Sequence, residues 1–277
     1  MTRIEIKSPC KINFGLNVVS KRSDGFHNIE TIFYPINLFD VIVFEISNNF
    51  SFSCNIESLE ENNIITKAVR LIEEEKKIKL PVAIHLEKRI PFGAGLGGGS
   101  SNAASTLLSL NELFQLNMSN EIVKSNALKL GSDVPFFLKP FPSFGKSRGE
   151  VLTEINFVIK KPLLIINPGI NVATKWAYEN IIPRRPDFNL IELNNNGFSD
   201  YSQLNHLVVN DFENIVFSKF PEIKNIKNEI QNFGAEFSLM SGSGSSVFGI
   251  FNDVEKAEIA QDYFSQKYFT HLELYEN

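Results

Sequence analysis

Two cysteines in 277 residues, Cys10 and Cys54, are too few for a disulfide framework or a four-ligand zinc site. Four histidines, His27, His85, His206 and His271, form no HExxH or other metal spacing. No apolar run approaches the roughly 18 residues of a membrane-spanning helix. The start, MTRIEIKSPCKINF, alternates charged and apolar residues and has no hydrophobic stretch of the signal-peptide kind. A surplus of positive charge is missing too. Lys and Arg number 27 against 32 Asp and Glu, a net charge of −5. That excludes a surface given over wholly to nucleic acid and leaves room for a local basic pocket. The expectation is a soluble cytoplasmic protein with neither nucleic acid nor membrane as partner. Tryptophan occurs once and tyrosine 6 times, whereas phenylalanine occurs 25 times, spread along the chain. Phenylalanine buries a large apolar area without a polar group to satisfy, so this surplus reads as core.

Length and local patterning outline the fold. At roughly 150 residues per domain, 277 residues make about two. Ile4 and Ile6 alternate with charges as in a half-buried strand, and Val41–Ile46, Phe50–Ile56 and Val82–Leu86 read as further strands. Helical spacing governs 63–76, 103–114 and 122–130, the last stopped by Gly131. Prolines and glycines gather at 140–162, where the domain boundary is expected. Beyond it come a strand at Leu163–Ile166, a turn at 167–169, an Asn-rich polar segment at 194–200, and helices near 206–217 and 222–232. Strands at 237–240 and 247–251 and a last helix at 253–266 follow. Helices are interspersed among strands without a βαβαβ rhythm, which makes the class α+β.

The strongest chemical signal is Pro91, Phe92, Gly93, Ala94, Gly95, Leu96, Gly97, Gly98, Gly99, Ser100, Ser101 and Asn102, running directly into a helix. Glycine lets backbone N–H groups close on an anion, and the helix N-terminus adds unpaired N–H groups and a positive dipole end. Ser100 and Ser101 offer hydroxyl hydrogen bonds or a helix cap. A phosphate-binding loop is the leading reading. It is not a Walker loop, which needs a lysine after the last glycine. Gly93-x-Gly95-x-x-Gly98 fits the dinucleotide spacing, yet a second helix follows where a strand ending in an acid is required. Protein-kinase catalytic-loop and DFG elements are missing.

Three further elements carry chemistry. Asp133, in Gly131-Ser132-Asp133-Val134-Pro135, follows a helix end and precedes an apolar stretch. Its carboxylate is either a turn or capping group or the general base of a phosphoryl transfer. Lys11, between Cys10 and Ile12, is either a solvated edge charge or a buried functional ammonium. Ser241-Gly242-Ser243-Gly244-Ser245-Ser246 is either a flexible hairpin or a second loop closing on phosphate or substrate.

Together these residues resemble the GHMP kinase superfamily, which includes galactokinase, homoserine kinase and mevalonate kinase. Ser8-Pro9-Cys10-Lys11-Ile12-Asn13, Lys21-Arg22-Ser23-Asp24-Gly25-Phe26-His27 and Gly97–Ala104 sharpen the match to one branch. The resemblance runs from residue 8 to about residue 251. It implies a two-lobed α+β kinase, lobes at 1–155 and 156–277, with the active site in the interdomain cleft. It implies transfer of the γ-phosphoryl of ATP, with Mg²⁺, to the 2-hydroxyl of a cytidylyl methylerythritol. Carried onto this sequence, the 91–101 loop holds the ATP phosphates, Asp133 is the base and Lys11 its electrostatic partner. Asn13 meets the erythritol, Phe26 and His27 the cytosine, Thr174 and Tyr178 the other side of the cytidine, and Asn63 and Lys88 the adenine. Metal ligands stay unassigned. The chain departs from the family in Phe26 for a usual Tyr, in Cys10 for a usual Ala, and in an altered glycine pattern at 146–150. The rival readings are another GHMP kinase, for homoserine or mevalonate, and an inactive nucleotide-binding module.

Overall fold

The computed structural model describes residues 2–194 and 200–275. In chain order the strands and helices are β1 (Arg3–Lys21), β2 (His27–Ile46), β3 (Ser51–Cys54), α1 (Ile64–Lys76), β4 (Val82–Glu87), α2 (Gly98–Leu113), α3 (Asn120–Leu130), α4 (Val134–Phe137), β5 (Ser143–Lys146), β6 (Val151–Glu154), β7 (Leu163–Asn167), α5 (Thr174–Asn180), α6 (Glu213–Lys219), α7 (Pro221–Asn232), β8 (Ala235–Met240), β9 (Val247–Phe251), α8 (Val254–Ser265) and β10 (Phe269–Glu273). They form two compact units, each assembled from separate stretches of chain. The first comprises Met1–Cys10, Asn37–Ile90 and Gly97–Pro140; the second comprises Lys11–Ile36, Pro91–Leu96 and Phe141–Asn277.

In the first unit Val41–Ile46 of β2 pairs antiparallel with β4, and β3 joins β4 in parallel. Helix α1 begins where the Asn63 side chain accepts the Ile65 N–H (2.9 Å), and ends at Lys77 in the left-handed region. Its buried stripe is Ile65, Ala68, Val69 and Ile72, the 3.6-residue period expected of the segment. Helix α2 is buried along most of its length, Ala103, Ala104, Leu107 and Leu110 completely. Small residues near its start let neighbouring elements approach closely.

In the second unit a four-stranded antiparallel sheet runs β10-β7-β9-β8. Leu163–Ile166 and Val247–Phe251 are fully covered, so those strands read as unbroken apolar runs. The first half of β2 pairs with β5, Thr31 opposite Gly145, and β5 pairs with β6. Phe14 stacks on Phe237 and packs against the tilted ring of Phe157, with centroids 5.0 and 4.8 Å away. Each such ring, fully buried, contributes about 1.5–3 kcal/mol, and this is where much of the phenylalanine goes.

One expectation needs correction and others gain detail. The strand read at Ile4 and Ile6 is the start of β1, which runs on through Lys11 to Lys21. From Cys10 to Val18 both of its faces are covered, so the alternation that marks a half-exposed strand disappears. The 140–162 stretch, one piece of which is expected to carry structure, holds the β5–β6 hairpin. The helix expected near 206–217 is a 3-10 turn at Tyr201–His206 followed by α6. Between them the backbone is committed to β1: the Leu16 N–H donates to Val209 O (2.8 Å) and the Asp211 N–H to Leu16 O (2.9 Å). A helix there would forfeit both bonds. Of the Asn-rich segment at 194–200, residues 195–199 lie outside the described residues.

Candidate functional site

The glycine segment begins at Pro91 and becomes the first turn of α2 at Gly98, with Gly97 at the cap position in a left-handed conformation, φ +70°. The cap therefore carries no side chain, and the α2 N-terminus is left with backbone N–H groups. Gly99 is exposed on that turn, and a Cβ added there meets no described atom within 4 Å. Ser101 does not cap the helix. Its hydroxyl is buried and lies 2.7 Å from that of Ser8, which also accepts from Ser105 (3.1 Å).

Gly95 is a hub of the second unit. Its carbonyl accepts from the Lys11 ammonium (3.0 Å) and from the Ser241 hydroxyl (2.9 Å). Lys11 also donates to Asn13 Oδ1 (2.5 Å), and the Asn13 N–H donates to Ser241 Oγ (3.1 Å). Asn13 Nδ2 donates to the Thr31 hydroxyl (2.9 Å), which in turn donates to Gly15 O (2.6 Å). Lys11 is 3% exposed, so it is a buried ammonium and not an edge charge. Burial of an ammonium is costly, and these carbonyl oxygens offset part of that cost. A Cβ on Gly95 would stand 2.1 Å from Ser241 O, at φ +76°; only glycine fits.

The Ser241–Ser246 loop is held on every side. Ser246 N–H donates to Ala94 O (3.1 Å), and Asn167 Nδ2 donates to the hydroxyls of Ser245 (3.2 Å) and Ser246 (3.0 Å). Asn210 Nδ2 donates to Met240 O (2.7 Å) and Gly242 O (2.8 Å). Nearby, Asp211 Oδ2 accepts the Val18 N–H (2.7 Å) and Glu213 Oε1 accepts the Met240 N–H (2.9 Å). Sequence reasoning missed Asn167 and this Asn-Asp-Phe-Glu run. The available signal was three polar side chains set into Leu207-Val208-Val209 and Phe212, where only fully bonded polar groups survive burial.

Helix α5 joins two of the expected positions. Its first residue, Thr174, lies 3.0 Å from the Ser243 hydroxyl, and one turn later Tyr178 stacks on His27, centroids 5.1 Å apart. His27 is buried, and burial together with Lys21 lowers its pKa below the ordinary 6.5, so the ring is neutral at pH 7. A neutral imidazole offers one donor and one acceptor. Phe26 is half exposed, and the Arg148 guanidinium covers its ring at 4.7 Å. The turn before it is tied by Arg22, which bonds Asp24, Asn28 and the Ser147 hydroxyl.

In the first unit Asp133 occupies the residue before α4, and that helix takes no hydrogen bond from its side chain. Asn63 caps α1 and borders a cavity of about 420 Å³ lined also by Thr66, Lys67, Arg70 and Leu130. Lys88 is buried against Asp40, its ammonium 2.9 Å from Oδ2. Burial lowers its pKa, opposed by the Asp40 charge. Among the described residues no group of three or more His, Cys, Asp or Glu side chains is placed to hold a metal, and no helix is long and apolar enough to cross a membrane.

Comparison with known proteins agrees with this architecture. The family profile of the GHMP kinases N terminal domain matches residues 63–139, and that of the GHMP kinases C terminal matches residues 189–270. A 4-diphosphocytidyl-2-C-methyl-D-erythritol kinase of Chlorobium chlorochromatii is 38% identical over 276 residues, covering 97% of this chain and 96% of that one. The protein of the same name from Bacteroides fragilis is 41% identical over 254 residues, covering 89% and 91%. A crystal structure of 4-(cytidine 5'-diphospho)-2C-methyl-D-erythritol kinase superposes with a TM-score of 0.82 at 32% identity, covering 97% of this chain and 98% of that one. The chain belongs to the GHMP kinase family, on the branch formed by the 4-diphosphocytidyl-2-C-methyl-D-erythritol kinases.

Proposed function

We propose that the chain transfers the γ-phosphoryl group of ATP to the 2-hydroxyl of 4-diphosphocytidyl-2-C-methyl-D-erythritol. The observation that carries this reading is the likeness to kinases of that name along nearly the whole chain. The N–H groups of residues 97–100 receive the phosphates, an assignment supported by the uncapped start of α2 and the open surface at Gly99. Asp133 takes the proton of the attacking hydroxyl. It is supported by its place in Gly131-Ser132-Asp133-Val134-Pro135, directly before the first turn of α4. Lys11 supplies fixed positive charge, which keeps a carboxylate ionised and stabilises the alkoxide as it forms. Asn13, fixed by Lys11 and Thr31, orients the erythritol end.

His27 reads the cytosine edge with its neutral ring, and Phe26 stacks on the base. Thr174 and Tyr178 complete that side, supported by their contacts with Ser243 and His27. Asn63 faces the adenine, in keeping with the cavity it borders; the Lys88 ammonium, taken up by Asp40 and Ile90 O, is not offered to the base.

Mg²⁺ fits as an ion carried by the nucleotide, since the protein offers no three-carboxylate cage among the described residues and such sites take few protein ligands. When bound, it neutralises charge on the transferring phosphate. The test is an ATP-dependent phosphorylation assay with the cytidylyl methylerythritol, homoserine, mevalonate and galactose in parallel. Transfer to the cytidylyl compound alone is the expected result, and preference for any other acceptor would overturn the assignment.

A further inference from the structure

Asp40 lies in β2 within Leu38-Phe39-Asp40-Val41-Ile42, a single acid in an apolar run, and its side chain is completely buried. Such a carboxylate survives only when its lone pairs are taken up by donors. Four donor groups take them. Oδ1 accepts the N–H groups of Arg89 and Ile90, each at 2.8 Å, and the Lys88 ammonium at 3.1 Å. Oδ2 accepts the same ammonium at 2.9 Å and Asn102 Nδ2 at 3.0 Å. Lys88 spends a further proton on Ile90 O.

These donors are not scattered along the sequence. Lys88, Arg89 and Ile90 are the three residues before Pro91, where the glycine segment begins. Asn102 follows Ser101, where that segment ends inside α2. One carboxylate therefore holds the chain where it enters the loop and where it leaves. The Lys88 ammonium it fixes lies directly under the first turn of α2: a Cβ on Gly98 would come within 3.2 Å of Nζ. The amide of Asn102 shows how strongly Asp40 dictates the arrangement. With Nδ2 turned to the carboxylate, Oδ1 is buried with no partner among the described residues, and the amide keeps that orientation because reversing it would set two acceptors face to face.

We propose that Asp40 is a positioning residue for phosphate binding, fixing both ends of the glycine loop so that its N–H groups are aimed before the nucleotide arrives. The proposal rests on the reading of that loop as the phosphate site. Pre-aimed donors avoid the ordering cost that a free loop would meet on binding, so Asp40 acts on ATP affinity and not on the acceptor.

The experiment is calorimetric titration of Mg²⁺–ATP and, separately, of the cytidylyl methylerythritol into the unaltered chain and into Asp40→Asn, with thermal melting of both proteins. The variant keeps the shape but turns an NH₂ group toward Lys88 or Asn102, both donors. ATP should bind about tenfold more weakly, and the acceptor within about twofold of its original affinity. Unchanged ATP affinity, or equal weakening of both ligands, overturns the proposal, since general loosening of the fold would not choose between them. Should Asp40→Asn fail to fold, Asn102→Leu cuts the exit bond alone and should weaken ATP about threefold with the acceptor unaffected. Unchanged ATP affinity in that variant is equally fatal. If the unaltered chain binds ATP without transferring phosphoryl, the proposed reaction falls while the ATP titration still decides the role of Asp40. No binding of ATP by the unaltered chain removes both.

Discussion

Gly99→Ala separates a phosphate cradle from a merely tight turn, because stability and ATP affinity should move in opposite directions. Gly99 is an exposed residue in the first turn of α2, and its missing Cβ would meet no described atom within 4 Å. Alanine there adds helix propensity worth about 0.5–1 kcal/mol, less at a helix end, so the melting temperature should rise by about 1–2 °C. The same methyl group occupies space that the cradle reserves for phosphate oxygens. Loss of one charge-assisted hydrogen bond costs about 1.5–3 kcal/mol, which weakens ATP roughly 10- to 150-fold. Gly95→Ala is the control with the opposite signature. Its Cβ would stand 2.1 Å from Ser241 O, roughly 1 Å inside ordinary approach, and the left-handed φ adds about 1–2 kcal/mol. With the Gly95 carbonyl bonds disturbed as well, the protein should lose about 2–4 kcal/mol, read by urea unfolding. ATP affinity within twofold of the original in a stabilised Gly99→Ala protein would refute the cradle.

Other positions give separate readouts. Asp133→Asn should bind ATP normally and lose about 10²–10⁴ in kcat, and near-normal turnover would remove Asp133 as the base. His27→Ala should raise KM for the cytidylyl acceptor while ATP changes little; equal effects on both would sink the cytosine assignment. Acceptor binding should be flat from pH 7 to 8 and weaken only as pH falls through the lowered pKa of the folded His27, and His27→Ala should abolish that dependence. Because the folded-state pKa is lowered, the unfolded chain binds more protons as pH falls through 6.5. The His27 contribution to stability is therefore present above that pH and is lost toward the folded pKa. Asn210→Ala should cost about 1–3 kcal/mol in urea unfolding by leaving Met240 O and Gly242 O unpaired, and unchanged stability would show that the loop does not depend on it.

Local chemistry was legible in the sequence wherever one residue type has few physical uses. The glycine segment before α2 is such a case, since backbone N–H groups cannot converge on an anion past side chains. The periodicity of α1 and the alternation of β4 were equally plain. The buried half of β1 was not, because covering both faces of a strand erases the period-2 signal. The break at 207–211 was hidden for another reason: what prevents a helix there is pairing with Leu16, almost two hundred residues earlier in the chain. Lys11 shows the same limit at the site. Nothing in Cys10-Lys11-Ile12 says that the ammonium will be buried on Gly95 O, 84 residues away. Asp40 could have been found: an acid in an apolar run must collect donors, although the run does not reveal which ones.

The most direct test of the central claim follows the phosphoryl group itself. The chain is mixed with Mg²⁺, γ-labelled ATP and 4-diphosphocytidyl-2-C-methyl-D-erythritol, and the products are resolved by phosphorus NMR, beside a parallel sample of Asp133→Asn. The account predicts label in a new phosphomonoester on the 2-hydroxyl with the unaltered chain, and almost none with the variant. Label released only as inorganic phosphate, or equal transfer by both proteins, would contradict it.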